Sequence, residues 1–169
     1  FQSEHTNEAI LDRIVKVDVP YVLELEQEIK IYEKILSQAN FDIHIAPHTL
    51  RVASMFSILS RLQESQKCDL LTKLKIYNGE EVVEKGRVKK IDISDLKDEA
   101  DREGMSGIST RFIMKAVDNA LSDSDKDFIT PVSILDSLMK QVKEQLINKD
   151  FANHCLDLIR NTVRNEYLR

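Results

Sequence analysis

Residues 103–121, EGMSGISTRFIMKAVDNAL, decide how the chain is organised. Gly104 and Gly107 mark a turn. Ser109 and Thr110 can cap a helix after it, because their side-chain oxygens accept hydrogen bonds from free N–H groups of the first turn. The apolar residues that follow recur at helical spacing, namely Phe112, Ile113, Ala116, Val117, Ala120 and Leu121. The stretch therefore predicts a glycine turn followed by an amphipathic helix.

Arg111 lies in the first turn of this predicted helix. The positive end of the helix dipole slightly disfavours a cation at this position. Helix N-termini also bind phosphates through their free N–H groups, so an arginine here suggests an anion to be met. The alternative is a surface arginine paired with Asp101 or Glu103. The spacing leaves both interpretations open.

The composition predicts a mainly helical protein of the soluble type. Of the 169 residues, 42% are apolar and 31% are charged, with only 4 glycines and 3 prolines. The net charge of -5 argues against non-specific nucleic-acid binding. No apolar run approaches the roughly 20 residues that a membrane span needs. Cys68 and Cys155 have no CxxC neighbour, so we expect reduced thiols and a cytoplasmic location. From the charge and the lack of a long apolar run, we expect neither nucleic acid nor membrane as a partner.

The hydrophobic patterning predicts an all-α helical bundle with one short N-terminal strand. The strand signal is the β-branched alternation of residues 13–19, RIVKVDV, which Pro20 ends. A lone strand is unstable in water, so we expect it to be unpaired, exchanged with another copy, or loosely packed. Two β-prone pieces at 81–93 suggest a small hairpin or an extended loop. Helices are expected at 25–39, 47–63, 70–77, 94–102, 109–121, 131–147 and 151–168.

The search for chemical motifs leaves two arginines as candidates. The sequence has no GxxxxGK[ST] phosphate loop and no protein-kinase HRD or DFG motif. Pro47 stands between His44 and His48, at the place where a first helical residue is expected, so the two histidines are not expected to share a helix face. No metal site is therefore expected. Arg13 and Arg111 remain, since guanidinium groups bind phosphate oxygens bidentately and can stabilise phosphoryl transfer.

Long segments of the chain resemble the PrkA-type bacterial serine protein kinases. The segments are HIAPHTLRVASMFSILSRL (44–62), LTKLKIYNGE (71–80) and EGMSGISTRFIMKAVDNALSDSDKDFITPVSILDSL (103–138). The resemblance covers nearly the whole chain. It implies a protein with an N-terminal AAA+ ATPase core, followed by a helical C-terminal region to which kinase activity has been assigned.

The resemblance also implies a division of the chain. Residues 1–20 look like the last segment of the AAA+ core, 21–122 like its helical lid with an insertion at 66–102, and 128–169 like the start of the C-terminal region. The segment around Arg13 looks like one in Lon-like AAA+ proteins whose arginine acts as an arginine finger. The GISTR run is similar to a sensor-2 segment, which gives Arg111 a role at the ATP phosphates.

The Walker A and B segments of the family are absent from this sequence. We therefore expect the chain alone to be inactive and to bind no cofactor. The full-length protein is expected to use ATP and Mg²⁺, to act on protein substrates and to form a homo-oligomer. The alternative is a helical protein-interaction or regulatory module with no direct role in nucleotide chemistry. A nucleotide-dependent movement of the helices would favour the lid, and dependence on a partner protein would favour the interaction module.

Overall fold

The computed structural model describes residues 13–15, 17–39, 44–84, 87–88, 91–122 and 128–169. In this part of the chain the helices are α1 (Leu25–Gln38), α2 (Thr49–Leu59), α3 (Leu70–Tyr77), α4 (Ile93–Asp98), α5 (Thr110–Ser122), α6 (Pro131–Gln145), α7 (Lys149–Asp157) and α8 (Arg164–Tyr167). A π-helical segment, Leu158–Val163, joins α7 to α8. The two-residue strands are β1 (His44–Ile45), β2 (Val83–Glu84), β3 (Arg87–Val88) and β4 (Phe128–Ile129). The prediction of a mainly helical fold is confirmed.

Helix α2 lies in the centre of one hydrophobic core. Phe56, Ile58 and Leu59 are fully buried, and only Leu50 and Arg51 of this helix are partly exposed. Such a helix, apolar nearly all round, is stable only when other elements cover it on most sides. α1, α5, α6 and the π-helical segment provide that cover. This helix is therefore buried on nearly all sides.

The strands make two small pairings. β2 and β3 pair antiparallel, which confirms the predicted hairpin. β1 and β4 pair in parallel, with His44 opposite Phe128 and Ile45 opposite Ile129. The sequence did not predict this second pairing. It fixes the start of α6 beside the start of α2, and the Thr49 hydroxyl adds a hydrogen bond of 3.4 Å to the Ile129 carbonyl.

In place of the expected N-terminal strand, the described residues 13–15 and 17–20 form no strand. Val15, Val17 and Val19 are 87%, 74% and 81% exposed. A β-prone segment with no sheet partner to cover it gains little from an extended ladder. The described residues of this segment therefore match the expected loose packing.

Several helix starts and ends differ from the sequence prediction, and those of α2 and α4 have clear local causes. α2 begins at Thr49 and not at Pro47, because His48 takes a left-handed φ of 66° that a helix cannot continue. α4 begins after Asp92, whose carboxylate accepts a hydrogen bond from the Ser94 backbone N–H. α4 also ends at Asp98, so the expected helix over 94–102 stops four residues early.

Candidate functional site

The glycine loop, defined as residues 103–109, connects α4 to α5 and fixes the start of α5. Gly104 and Gly107 have φ values of 76° and 115°, which side-chain-bearing residues rarely adopt. Ser109 ends the loop, and its hydroxyl accepts a hydrogen bond of 3.3 Å from the Phe112 N–H. The predicted turn and the predicted serine cap are therefore both confirmed.

The glycine loop packs directly on backbone at the end of α2. A Cβ atom at Gly107 would lie 2.6 Å from the Ser60 carbonyl oxygen, so only glycine fits. The Ile108 N–H donates to the Ser60 hydroxyl at 2.9 Å. Gly104 accepts a hydrogen bond of 2.8 Å from the Tyr21 N–H. The loop thus joins α2 to the segment that enters α1.

Arg61 is the buried centre of these contacts, with only 2% of its surface exposed. Its Nε donates to the Ile108 carbonyl at 2.9 Å, and its Nη1 donates to the Val22 carbonyl at 3.0 Å. Its Nη2 forms an ion pair of 2.7 Å with Glu28 of α1. The guanidinium carbon also lies 4.6 Å from the centre of the Tyr21 ring. One side chain therefore ties three separate segments together.

Glu28 is satisfied by further partners as well as Arg61. The Tyr32 hydroxyl donates to its Oε1 at 2.5 Å, and the Ser57 hydroxyl lies 3.4 Å from the same atom. Burial and then the Glu28 charge raise the pKa of Tyr32 far above its ordinary value. Tyr32 therefore stays a neutral phenol and a hydrogen-bond donor, as a buried carboxylate requires.

A second buried ion pair holds the first residue of the glycine loop. The Lys73 ammonium lies 2.6 Å from Oε1 of Glu103 and also donates to the Gln63 carbonyl at 3.0 Å. The Gln63 N–H donates to Glu103 at 2.9 Å, and the Tyr77 hydroxyl donates to it at 2.5 Å. Burial and then this hydrogen bond raise the pKa of Tyr77. α3 therefore anchors the start of the loop at Glu103, whereas Arg61 holds its end at Ile108.

Arg111 is exposed in the first turn of α5, beyond this anchored loop. Among the residues that the structure describes, none makes a hydrogen bond or ion pair with its guanidinium. Glu103, one of the two partners in the alternative interpretation, is instead bound to Lys73 and Tyr77. Asp101, the other, makes no described ion pair with it either. The Arg111 guanidinium is therefore available to a group outside the described chain.

Arg13 lies in an exposed turn, and no described contact joins it to Arg111. It precedes Tyr21 by eight residues, so an extended chain places it at most about 28 Å from that contact. What the structure does bring together is the segment that follows Arg13 and the glycine loop that precedes Arg111. The two candidate arginines therefore belong to segments that meet at Tyr21 and Gly104.

The sequence interpretation missed the buried charges that position this loop. Arg61 follows the apolar run of α2 directly, in SILSRL, within the helix expected at 47–63. A charge in such a place costs free energy unless it is paired, so it signals a partner elsewhere. Lys73 carries the same signal within LTKLKIY. Neither signal identifies Glu28 or Glu103 as the partner, because both pairs are distant in sequence.

Two further features concern metals and membranes. In the described ranges, no group of three or more His, Cys, Asp or Glu side chains could hold a metal ion. His44 lies in β1 and His48 precedes α2. None of the described helices combines the length and the apolar character needed to cross a bilayer.

Comparison with known families assigns the chain. Residues 1–69 match the PrkA AAA domain, and residues 71–169 match the PrkA serine protein kinase C-terminal domain. The chain therefore belongs to the PrkA serine protein kinase family, and the resemblance found in its sequence is confirmed. The two matched regions meet at α3 but share one core, to which α2 contributes from the first and α5 and α6 from the second.

Two relatives align along almost all of the chain. One is the ATP-dependent protease PrkA of Bacillus subtilis (strain 168), which is 37% identical over 171 residues. Another is the serine/threonine kinase YeaG of Escherichia coli (strain K12), which is 34% identical over 170 residues. Each alignment covers 99% of this chain and 26% of the relative, so the chain spans about a quarter of their length. No solved structure matches it.

Proposed function

We propose that this chain supplies the helical lid of an ATP-dependent protein, within residues 21–122, and that Arg111 binds the phosphate oxygens of a nucleotide held by the ATPase core. The observation that carries the proposal is the exposed Arg111 guanidinium, which has no partner among the described residues. The buried pair of Lys73 with Glu103 and the hydrogen bond from Arg61 to the Ile108 carbonyl hold the loop in front of it. A free arginine on an anchored loop is suited to binding an external anion.

The anchoring makes the lid move as a unit. Displacing the glycine loop would separate Lys73 from the buried Glu103 carboxylate and Arg61 from the Ile108 carbonyl, which is costly. α5 therefore follows α1, α2 and α3 when the lid shifts. In this proposal Arg111 contacts the terminal phosphate in the closed position and loses that contact after hydrolysis. The difference in contacts shifts the population between closed and open lids.

Arg13 takes the second role in the proposal. Its exposed position allows it to reach the nucleotide of a neighbouring subunit in a homo-oligomer, as an arginine finger. The ATP and Mg²⁺ sites belong to the core, the substrates are proteins, and the location is the cytoplasm. One relative is named as a protease and the other as a kinase, and a lid that responds to ATP is compatible with either reaction. The division at residues 20, 122 and 128 stays a prediction.

The chain alone should hydrolyse no ATP and phosphorylate nothing. Its sequence contains no GxxxxGK[ST] loop, so no group in it is placed to neutralise the charge of the γ-phosphate. The measurement is transfer of label from γ-labelled ATP to water or to a protein acceptor such as casein. Transfer by the pure chain above that of a heat-denatured control would contradict this expectation.

The proposal is tested by hydrogen exchange in the full-length protein. We expect the backbone amides at the start of α5 to exchange more slowly with a non-hydrolysable ATP analogue than with ADP, because Arg111 is then bound. Arg111→Ala should abolish that difference. Lys115→Ala is the matched control, since Lys115 is an exposed cation one turn further along the same helix. It should leave the difference in place.

Two outcomes would count against the lid proposal. If the start of α5 exchanges equally with the analogue, ADP and no nucleotide, the alternative of an interaction or regulatory module is favoured. If Lys115→Ala has the same effect as Arg111→Ala, only the general positive charge of the surface matters. Analogue binding must be verified in each variant, for example by equilibrium dialysis.

A further inference from the structure

A charged groove lies between α6 and the C-terminal helical stretch, at residues to which the proposed lid function gives no role. Its cavity has a volume of about 650 Å³. Six charged side chains line it, namely Asp136, Lys140, Lys143, Glu144, Arg160 and Arg164. Four of these side chains are cationic and two are anionic, on a chain whose net charge is -5. Such a local surplus concentrates anions.

The two arginines of this groove are available for binding. Arg160 and Arg164 are exposed, and within the described ranges no ion pair engages either guanidinium. They are four residues apart on the wall of the groove. Guanidinium groups bind phosphate oxygens bidentately, which makes paired arginines better phosphate ligands than isolated lysines.

The backbone is irregular at the same wall. Arg160 lies inside the π-helical segment Leu158–Val163, and Arg164 follows it directly. π-helical turns are rare and occur frequently at functional sites, because they interrupt the regular ladder of helix hydrogen bonds. The irregularity is a second observation, independent of charge, at the same place.

An apolar cavity of about 190 Å³ continues the groove. The two cavities share Asp136, Met139, Arg160 and Arg164. Beyond the arginines the second cavity has mainly apolar walls, which include Leu135, Ile159, Tyr167 and Leu168. A cationic part and an apolar part therefore lie side by side, as recognition of a short peptide requires.

We propose that this groove binds a protein segment that carries a phosphorylated serine or threonine beside an apolar side chain. A phosphate monoester carries a charge of about -1.5 to -2 at neutral pH, which the guanidinium groups of Arg160 and Arg164 together can match. A single carboxylate matches two guanidinium groups less well, because it carries only one charge and two acceptor oxygens, whereas phosphate has three. Phosphorylated serine is also the product of the reaction that names the family. Nucleic acid fits less well, because the net charge of -5 repels a long polyanion.

The test is binding of a fluorescent nonapeptide to the full-length protein, measured by anisotropy. The probe has one phosphoserine next to two leucines in a glycine–alanine background. We expect it to bind at least about tenfold more tightly than the same peptide with serine, because charge-assisted hydrogen bonds are lost without phosphate. A phosphopeptide with alanines in place of the leucines should also bind more weakly, since the apolar cavity then stays unfilled.

Substitutions locate the probe. Arg160→Ala and Arg164→Ala should each weaken phosphopeptide binding by about tenfold, and the corresponding Lys variants should weaken it less. Asp136→Asn should strengthen it, because one repulsive carboxylate is removed. Arg102→Ala is the matched control, since Arg102 is exposed but far from the groove in sequence and not among its lining residues. It should have no effect.

Several results would overturn the proposal. Equal affinity for phosphorylated and unphosphorylated peptides would make the groove a general peptide site. Displacement of the probe by inorganic phosphate or by a single-stranded oligonucleotide at the peptide's own concentration would mean that the groove recognises the anion alone. Absence of binding by every peptide, in protein whose melting temperature is normal, would also refute it.

Discussion

Arg61 and Arg111 both adjoin the glycine loop, but they differ in burial and in the hydrogen bonds that they make. Arg61 donates hydrogen bonds to two carbonyls and a carboxylate and is 2% exposed. Arg111 is exposed and makes none of these contacts with the described residues. Arg61 holds Ile108, only three residues before Arg111. The comparison shows that one guanidinium gives the loop its position, and that the other is the group being positioned.

Removing Arg61 should produce the largest loss of stability. Arg61→Ala leaves the Glu28 carboxylate buried without its cation and leaves the Ile108 and Val22 carbonyls without donors. We expect the free energy of unfolding to fall by about 3–5 kcal/mol, as for other broken buried ion pairs. Urea denaturation followed by circular dichroism measures it.

Arg51→Ala is the control for this loss. Arg51 lies in α2 and pairs with Glu26 and Glu80, but its side chain is 38% exposed. Solvent screens such pairs, so we expect a cost of about 1 kcal/mol or less. If both variants lose the same stability, burial does not distinguish Arg61 from Arg51. The proposal that Arg61 fixes the loop and that Arg111 is the residue positioned by it then fails.

The pair of Lys73 and Glu103 should show strong coupling. Lys73→Met or Glu103→Gln alone leaves a buried group without its partner, at a cost of about 3 kcal/mol each. The double variant removes both charges together, so its loss should be smaller than the sum of the single losses. A double-mutant cycle by urea denaturation gives the coupling free energy. Additive losses would show that the two side chains act independently.

Local patterns predicted most of the helices. The Ser109 cap of α5 and the helical spacing of the apolar residues that follow it are both signals within a few residues of sequence. The structure confirms them because helices depend mainly on neighbours one turn away.

The missed features depend on residues far apart in sequence. The pairing of His44 with Phe128 joins two strands of two residues each, too short for any periodicity to show. The ion pair of Arg61 with Glu28 crosses from α1 to the end of α2. The Arg61 position signals that a partner exists, but only packing identifies it. For the same reason Arg111 could be named from sequence while the groups that position it could not.

The backbone of the glycine loop gives the next largest effect. Gly107→Ala places a Cβ atom 2.6 Å from the Ser60 carbonyl and forces a φ of 115° on alanine. We expect a loss of about 2–3 kcal/mol, because strain and overpacking add. Gly79→Ala is the matched variant, since Gly79 also has positive φ but no atom within 4 Å of the added Cβ.

The Gly79 variant should lose only about 1 kcal/mol, the cost of the left-handed backbone for alanine. Thermal melting of the two variants compares them directly. A loss at Gly79 as large as that at Gly107 would mean that the backbone angle matters and that the close approach to α2 does not.

The most direct test of the account is ATP turnover beside thermal melting for Arg111 variants of the full-length protein. Arg111 is exposed, so Arg111→Ala should leave the melting temperature almost unchanged. It should nevertheless lower turnover by about tenfold or more, because a charge-assisted contact to phosphate is lost. Arg111→Lys should restore only part of the rate, since an ammonium cannot bind two oxygens as a guanidinium does. Unchanged turnover with a sharp drop in melting temperature would contradict the account and make Arg111 a structural residue like Arg61.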